Sequence, residues 1–185
     1  MGRRLIYRVV AIAFAFAVAG CGNRVTKEEA HRLVERYNQA TCEAYRRCDV
    51  NLINPVVGPN TVDGKRLTGL IGVRLDMGIS LDAQLLTLEI ASVDLDAGIL
   101  KVRTREQWRY RDRKIGTGET VGAESDDTYD MLYEFSKVDG KWMVSETRFA
   151  APPQVGRTAT PWAANREALH GIFSGPATDS QSMPG

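Results

Sequence analysis

The sequence predicts an α+β domain in which N-terminal helices pack on a curved, four-stranded antiparallel sheet. Three observations carry that prediction. A capped amphipathic stretch begins at Thr26. The apolar period changes from about 3.6 to two after Leu81. Asp139-Gly140 then separates two strand-like runs as a two-residue hairpin signal.

The helical elements come first. Thr26-Lys27-Glu28-Glu29 fits a capping box, with Thr26 as N-cap and Glu29 returning to its amide. Ala30, Leu33, Val34, Tyr37, Thr41, Ala44, Tyr45 and Cys48 follow as one apolar stripe of about five turns. His31, Glu28 and Glu35 share helical spacing, but no further His or Cys joins them. A solvated helix face and no metal site are therefore expected. Asp49 to Val57 reads as a short second helix, stopped by Asn54-Pro55 and Gly58-Pro59. Asp63-Gly64 marks a turn, and residues 65–77 read as a third helix in which Gly69 and Gly72 imply close packing.

Strands are expected at 84–94, 99–111, 127–137 and 141–149, with the glycine-rich stretch Gly116 to Gly122 joining the second to the third. The domain then spans 26–149. Residues 150–185 are rich in Pro, Gly, Ser and Thr and read as a mostly disordered tail. Within the tail, 161–170 is a candidate short helix with Trp162, Leu169 and Phe173 along its apolar side.

Lys101 to Lys114 carries seven basic residues in fourteen, with Trp108 and Tyr110 among them. In a strand, Leu100, Val102, Thr104, Glu106, Trp108 and Tyr110 share one face and the basic residues share the other. The aromatics cannot then stack bases beside the cationic groove, as a single-strand binder requires. Pairing Trp108 with Met131 aligns the apolar faces and sets Arg105 opposite Glu134 and Arg109 opposite Asp130. The expectation is a salt-bridged, solvated face that binds no nucleic acid.

The apolar face holds the candidate site. The Asp139-Gly140 turn pairs Phe135 with Val144, Tyr133 with Glu146 and Met131 with Arg148. Glu106, Tyr133, Glu146 and Arg148 should then form a polar patch beside Trp108 and Tyr110, with Arg148 serving both glutamates. Such a patch is either a structural ion-pair network at the open end of the sheet or the floor of a ligand pocket. No serine-hydrolase elbow, zinc-protease helix or Cys-x-x-Cys occurs, and His31 and His170 are the only histidines. No catalytic residue, cofactor or enzymatic activity is expected.

The amino terminus states an address. Arg3, Arg4 and Arg8 precede an apolar run from Val9 to Ala19, too short for a comfortable membrane span. Val18-Ala19-Gly20-Cys21 resembles the lipobox of bacterial lipoproteins. That resemblance implies a signal peptide over 1–20, palmitate and diacylglyceryl lipid on Cys21, and a tether over 21–25. With Gly22 after the cysteine, it also implies the periplasmic side of the outer membrane. Removing residues 1–20 leaves 21 basic against 23 acidic side chains, a net charge of −2 that suits no nucleic-acid binder. In an oxidising compartment Cys42 and Cys48 could form a disulfide. Six residues along one helix set them about 9 Å apart axially, so two separate thiols are favoured unless the helix ends near Arg46.

Leu33-Val34-x-x-Tyr37-Asn38-x-Ala40 and the Trp142-x-Val144 that follows the Asp-Gly hairpin resemble the first helix and terminal strand of NTF2-like cones. These are also called cystatin-like or SnoaL-type, and the IMS-type branch is the nearest. The resemblance covers residues 26–149. Such cones include enzymes, ligand binders and interaction modules, and the catalytic His/Asp pattern of the enzymes is not matched here. The expected function is a lipid-anchored, non-catalytic binding or interaction module with an envelope protein partner, with homodimerisation through the sheet face as an option. The alternative is a small-molecule binder, or a degenerate SnoaL-like enzyme, using the concave polar cluster. A hollow cone favours the second; a cone filled by Trp108, Tyr110 and Trp142 favours the first.

Overall fold

The computed structural model describes residues 25–155. Cys21, the expected signal peptide over 1–20 and the candidate helix at 161–170 lie outside them. Helix α1 (Lys27–Arg47) starts where the capping box places it, with Thr26 Oγ1 accepting the Glu29 amide at 3.1 Å. It ends at Cys48 in the left-handed conformation, φ 51°. The expected second helix is one 3-10 turn, Val50–Ile53. Helix α2 (Val62–Asp76) corrects the turn expected at Asp63-Gly64, because both residues lie in its first turn beneath the Thr61 cap. An acidic residue there suits the helix dipole, so a pair that marks turns elsewhere opens a helix here. Close packing involves Gly64, where an added Cβ would lie 3.3 Å from Thr61 Oγ1; Gly72 faces open space.

The sheet runs β1 (Ile79–Asp96), β2 (Ile99–Lys114), β3 (Thr120–Val138), β4 (Lys141–Phe149), all antiparallel and in that order. A short β5 (Gln154–Val155) continues along β3 beyond the end of β4, opposite Asp127 and Thr128. The domain therefore extends past residue 149. Val56 to Gly58 covers the other edge of β4: the Val144 amide bonds Val56 O at 2.8 Å and the Gly58 amide bonds Val144 O at 2.9 Å.

Strands β2 and β3 are longer than their sequences suggest. The polar stretch 120–126 is paired strand, and the turn narrows to Ile115–Glu119, closed by Lys114 N to Glu119 O at 2.8 Å. The faces match as expected but the offset differs by four residues: Trp108 opposes Asp127, not Met131. Arg105 therefore lies opposite Asp130 rather than Glu134, and Arg109 opposite Asp126 rather than Asp130. In β1 the register slips at Leu86 and again at Ala91. Each bulge turns the strand over by one position, so Leu85, Leu88, Ile90, Val93 and Leu95 all sit opposite even-numbered residues of β2 and share its concave face.

The hairpin behaves as expected up to Val144. Asp139 and Gly140 have φ of 50° and 76°, and Phe135 pairs with Val144. Ser145 is then an extra residue, its hydroxyl bonded to Glu134 O at 3.0 Å. Beyond this bulge Tyr133 opposes Thr147, Leu132 opposes Arg148 and Glu134 opposes Glu146. Parity on β4 is reversed from there to Phe149.

The N-terminal half of α1 seals one end of the cone. Ala30 and Val34 are completely buried there, and so are Leu100, Val102 and Val144 in the sheet. The C-terminal half of α1 and the adjoining face of α2 lie over the wider end.

Candidate functional site

At the wide end, α1 and α2 stand off the sheet and leave a cavity of about 300 Å³. Trp108, Tyr110, Tyr129 and Phe149 form an aromatic wall on one side, with Leu67, Leu70 and Leu81 filling gaps. The Trp108 and Tyr110 rings stack at 5.9 Å and 10°, Tyr110 and Tyr129 follow at 6.3 Å, and Tyr129 and Phe149 at 5.5 Å. This ladder exists because even positions of β2 and odd positions of β3 share the concave face.

Glu106 sits in the floor and is 1% exposed. Its carboxylate accepts from Thr104 Oγ1 and Tyr133 Oη on one oxygen and from Trp108 Nε1 on the other, each at 2.7 Å. Three donors match an acceptor-only group and offset its desolvation. All three are neutral. Burial pushes the Tyr133 hydroxyl well above its usual range, and the neighbouring Glu106 charge adds to it.

A second cluster joins the helices to β4. Asp63, also 1% exposed, accepts Tyr37 Oη at 2.6 Å and Thr147 Oγ1 at 2.8 Å, and it pairs with Arg66. Arg66 also donates to Thr147 O at 3.3 Å. Burial, then the Asp63 charge, holds the Tyr37 hydroxyl well above its usual range. Burial works against the Arg66 charge, but Asp63 overrides it and the guanidinium pKa is raised. Asn38 Nδ2 and Thr41 Oγ1, on residues lining the cavity from α1, are buried without a hydrogen-bond partner.

Four of the expected pocket residues are thus together: Glu106, Tyr133, Trp108 and Tyr110 all line the cavity. Glu146 and Arg148 do not belong to it. The Ser145 bulge turns Arg148 to the convex face, where it is 55% exposed on its side chain and lies 3.7 Å from Glu134. Thr147 takes the inward place instead. Tyr37, Asn38, Asp63, Arg66 and Tyr129 were not singled out as site residues from the sequence. For Asp63 and Arg66 the signal was their i, i+3 spacing behind a Thr cap, obscured by the turn-like Asp-Gly pair.

Both cysteines within the described residues are free thiols. Cys42 lines the cavity, and burial pushes its thiol up to about 12. Cys48 donates weakly to the Tyr45 and Ile79 carbonyls. Trp142 does not fill the cone; its ring lies under Lys137 Nζ at 4.9 Å. On the convex face Arg109 grips Asp126 with two bonds of 2.8 and 2.9 Å, Arg111 pairs with Glu124, and Arg113 with Asp82 at 3.0 Å. Among the described residues no three His, Cys, Asp or Glu side chains converge as metal ligands, and no helix is long and apolar enough to cross a membrane.

No protein-family model and no curated protein matches the sequence. Solved structures do. The intermembrane space region of the chloroplast protein ARC6 is 18% identical, covering 70% of this chain and 99% of that one, with a TM-score of 0.61. A protein with a cystatin-like fold from Caulobacter vibrioides is 13% identical over 77% of this chain and 98% of its own, TM-score 0.43. An NTF2-like protein of unknown function from Shewanella baltica is 16% identical over 70% and 100%, TM-score 0.35. At such identities the likeness concerns the fold alone, and the ARC6 region, with the highest TM-score of the three, shares it: two helices on a curved four-stranded antiparallel sheet.

Proposed function

We propose that this chain is a non-catalytic, lipid-anchored envelope protein whose cone binds a small, largely apolar molecule. One observation carries the reading: the cone is hollow at its wide end, with an open-mouthed cavity of about 300 Å³ lined by aromatic and aliphatic side chains around a few buried polar groups. Small-molecule sites share that composition, in which apolar walls supply affinity and a few polar atoms supply orientation. A close-packed interior would have filled such a volume. The lipobox-like Val18-Ala19-Gly20-Cys21 supports the anchor, the outer-membrane address and work beside envelope protein partners. The ion-paired convex face supports neither nucleic-acid binding nor an apolar homodimer contact.

The test is saturable binding of an uncharged fluorescent probe, N-phenyl-1-naphthylamine, to the full chain in detergent. One probe per chain is expected. Ala83→Phe projects a ring from the cavity wall and should abolish binding while the far-ultraviolet circular dichroism is retained. Non-saturable uptake, or binding that Ala83→Phe leaves unchanged in a folded chain, would overturn the reading.

A further inference from the structure

We propose, resting on the reading that the cavity holds a small molecule, that its ligand is an organic cation: an amine or ammonium group on a hydrophobic body. The first ground is charge. Three carboxylates are buried in or beside the wall: Asp63 and Glu106, each 1% exposed, and Asp127, 4% exposed, which accepts Tyr129 Oη at 2.7 Å. Asp63 is matched by Arg66. Glu106 is held by Thr104, Tyr133 and Trp108, all neutral, and takes part in no ion pair among the described residues. Glu106 is therefore a lining carboxylate without a cationic partner among the described residues, in a poorly solvated place where its field reaches across the cavity.

The second ground is the direction of the hydrogen bonds. The Tyr37 and Thr147 protons are committed to Asp63, and the Tyr133 proton to Glu106. Tyr37 Oη and Tyr133 Oη still offer lone pairs, whereas Thr147 Oγ1 already accepts from Arg66. Asn38 extends the pattern. Its side-chain amide lies 3.2 Å from Tyr133 Oη, whose single proton already serves Glu106 at 2.7 Å. The amide is best satisfied by turning its NH2 to that hydroxyl, which leaves its oxygen, an acceptor, as the partnerless atom. Against these acceptors stand two unpartnered donors on the described lining residues, the Thr41 hydroxyl and the Arg66 Nε–H, the latter in a guanidinium already paired with Asp63. The third ground is the aromatic lining itself, Trp108 and Tyr110, because a cation is attracted to aromatic π-electrons as an anion is not. An anionic ligand would meet hydroxyl lone pairs and the Glu106 charge, with Arg66, already paired with Asp63, as the one cationic side chain of the described lining.

Three probes of one shape decide the matter: 1-naphthylmethylamine, 1-ethylnaphthalene and 1-naphthylacetate, titrated at neutral pH into the full chain in detergent. The amine should bind at least roughly tenfold tighter than the neutral hydrocarbon, with the acetate weakest. Glu106→Gln should bring the amine-to-hydrocarbon ratio towards one. If the hydrocarbon or the acetate matches the amine, the cavity reading stands and the cation inference falls. If none of the three binds, the cavity reading itself falls. Should Glu106→Gln not fold, the ranking on the unaltered chain still decides.

Discussion

Tyr45→Phe, compared with the unaltered chain in urea at pH 8, 10 and 11, measures how strongly the wide end of the cone resists ionisation. Burial pushes the Tyr45 hydroxyl up to about 12, whereas in the unfolded chain it titrates near 10. Below pH 10 both states hold the proton and Tyr45 contributes nothing to the pH dependence. Above it the unfolded chain releases the proton while the folded chain retains it, so the folded state binds more protons and stability falls as pH rises. One unit of pKa difference is about 1.4 kcal/mol. The two-unit gap therefore removes about 1 kcal/mol by pH 11 and approaches ~2 kcal/mol by pH 12. Phenylalanine cannot ionise, so the variant should lose about 1 kcal/mol less than the parent between pH 8 and 11. Tyr37, Tyr110 and Tyr133 are also raised, with burial the first cause, so both proteins keep a steep alkaline limb. Urea midpoints followed by circular dichroism, which tyrosinate formation does not quench, give the comparison. Parallel loss of stability in the two proteins would refute the reasoning. So would an ultraviolet titration in which every tyrosine of the folded chain ionises near 10.

Two further predictions follow from the bulge and the lipobox. Arg148→Ala should cost below about 1 kcal/mol, because the pair with Glu134 is exposed; Thr147→Val should cost about 1–3 kcal/mol, because it removes a donor from buried Asp63. Chemical denaturation ranks the two, and the reverse order would mean that β4 lacks the Ser145 bulge. Cys21→Ser should abolish both palmitate labelling and partition into detergent, and unchanged partition of that variant would remove the lipid anchor.

Much of the fold was legible because its signals are local. The capping box at Thr26 needs only four residues, and the Asp139-Gly140 hairpin needs two with positive φ and an alternating strand on either side. The shared face of Glu106, Trp108 and Tyr110 follows from a period of two alone. Tyr133 joined them because the β2–β3 parity, which apolar matching determines, came out right even though the offset moved by four residues. That offset was not local. It depends on polar residues 120–126 pairing as strand at the wide end of the sheet, where solvent takes their side chains and the alternation fades.

The remainder was decided by tertiary structure. A bulge is defined by the partner strand, so nothing in Val144-Ser145-Glu146 announces that Ser145 has none, and the single extra residue exchanged Arg148 for Thr147 on the concave face. Asp63 became a site residue only when α2 brought it within 2.6 Å of Tyr37, twenty-six positions away. Hollowness is the same kind of property. On β2 and β3 the sequence determined which side chains face inward; how far α1 and α2 stand from the sheet, and so whether those side chains meet or leave about 300 Å³ between them, was determined by helix–sheet packing that no short stretch of chain encodes.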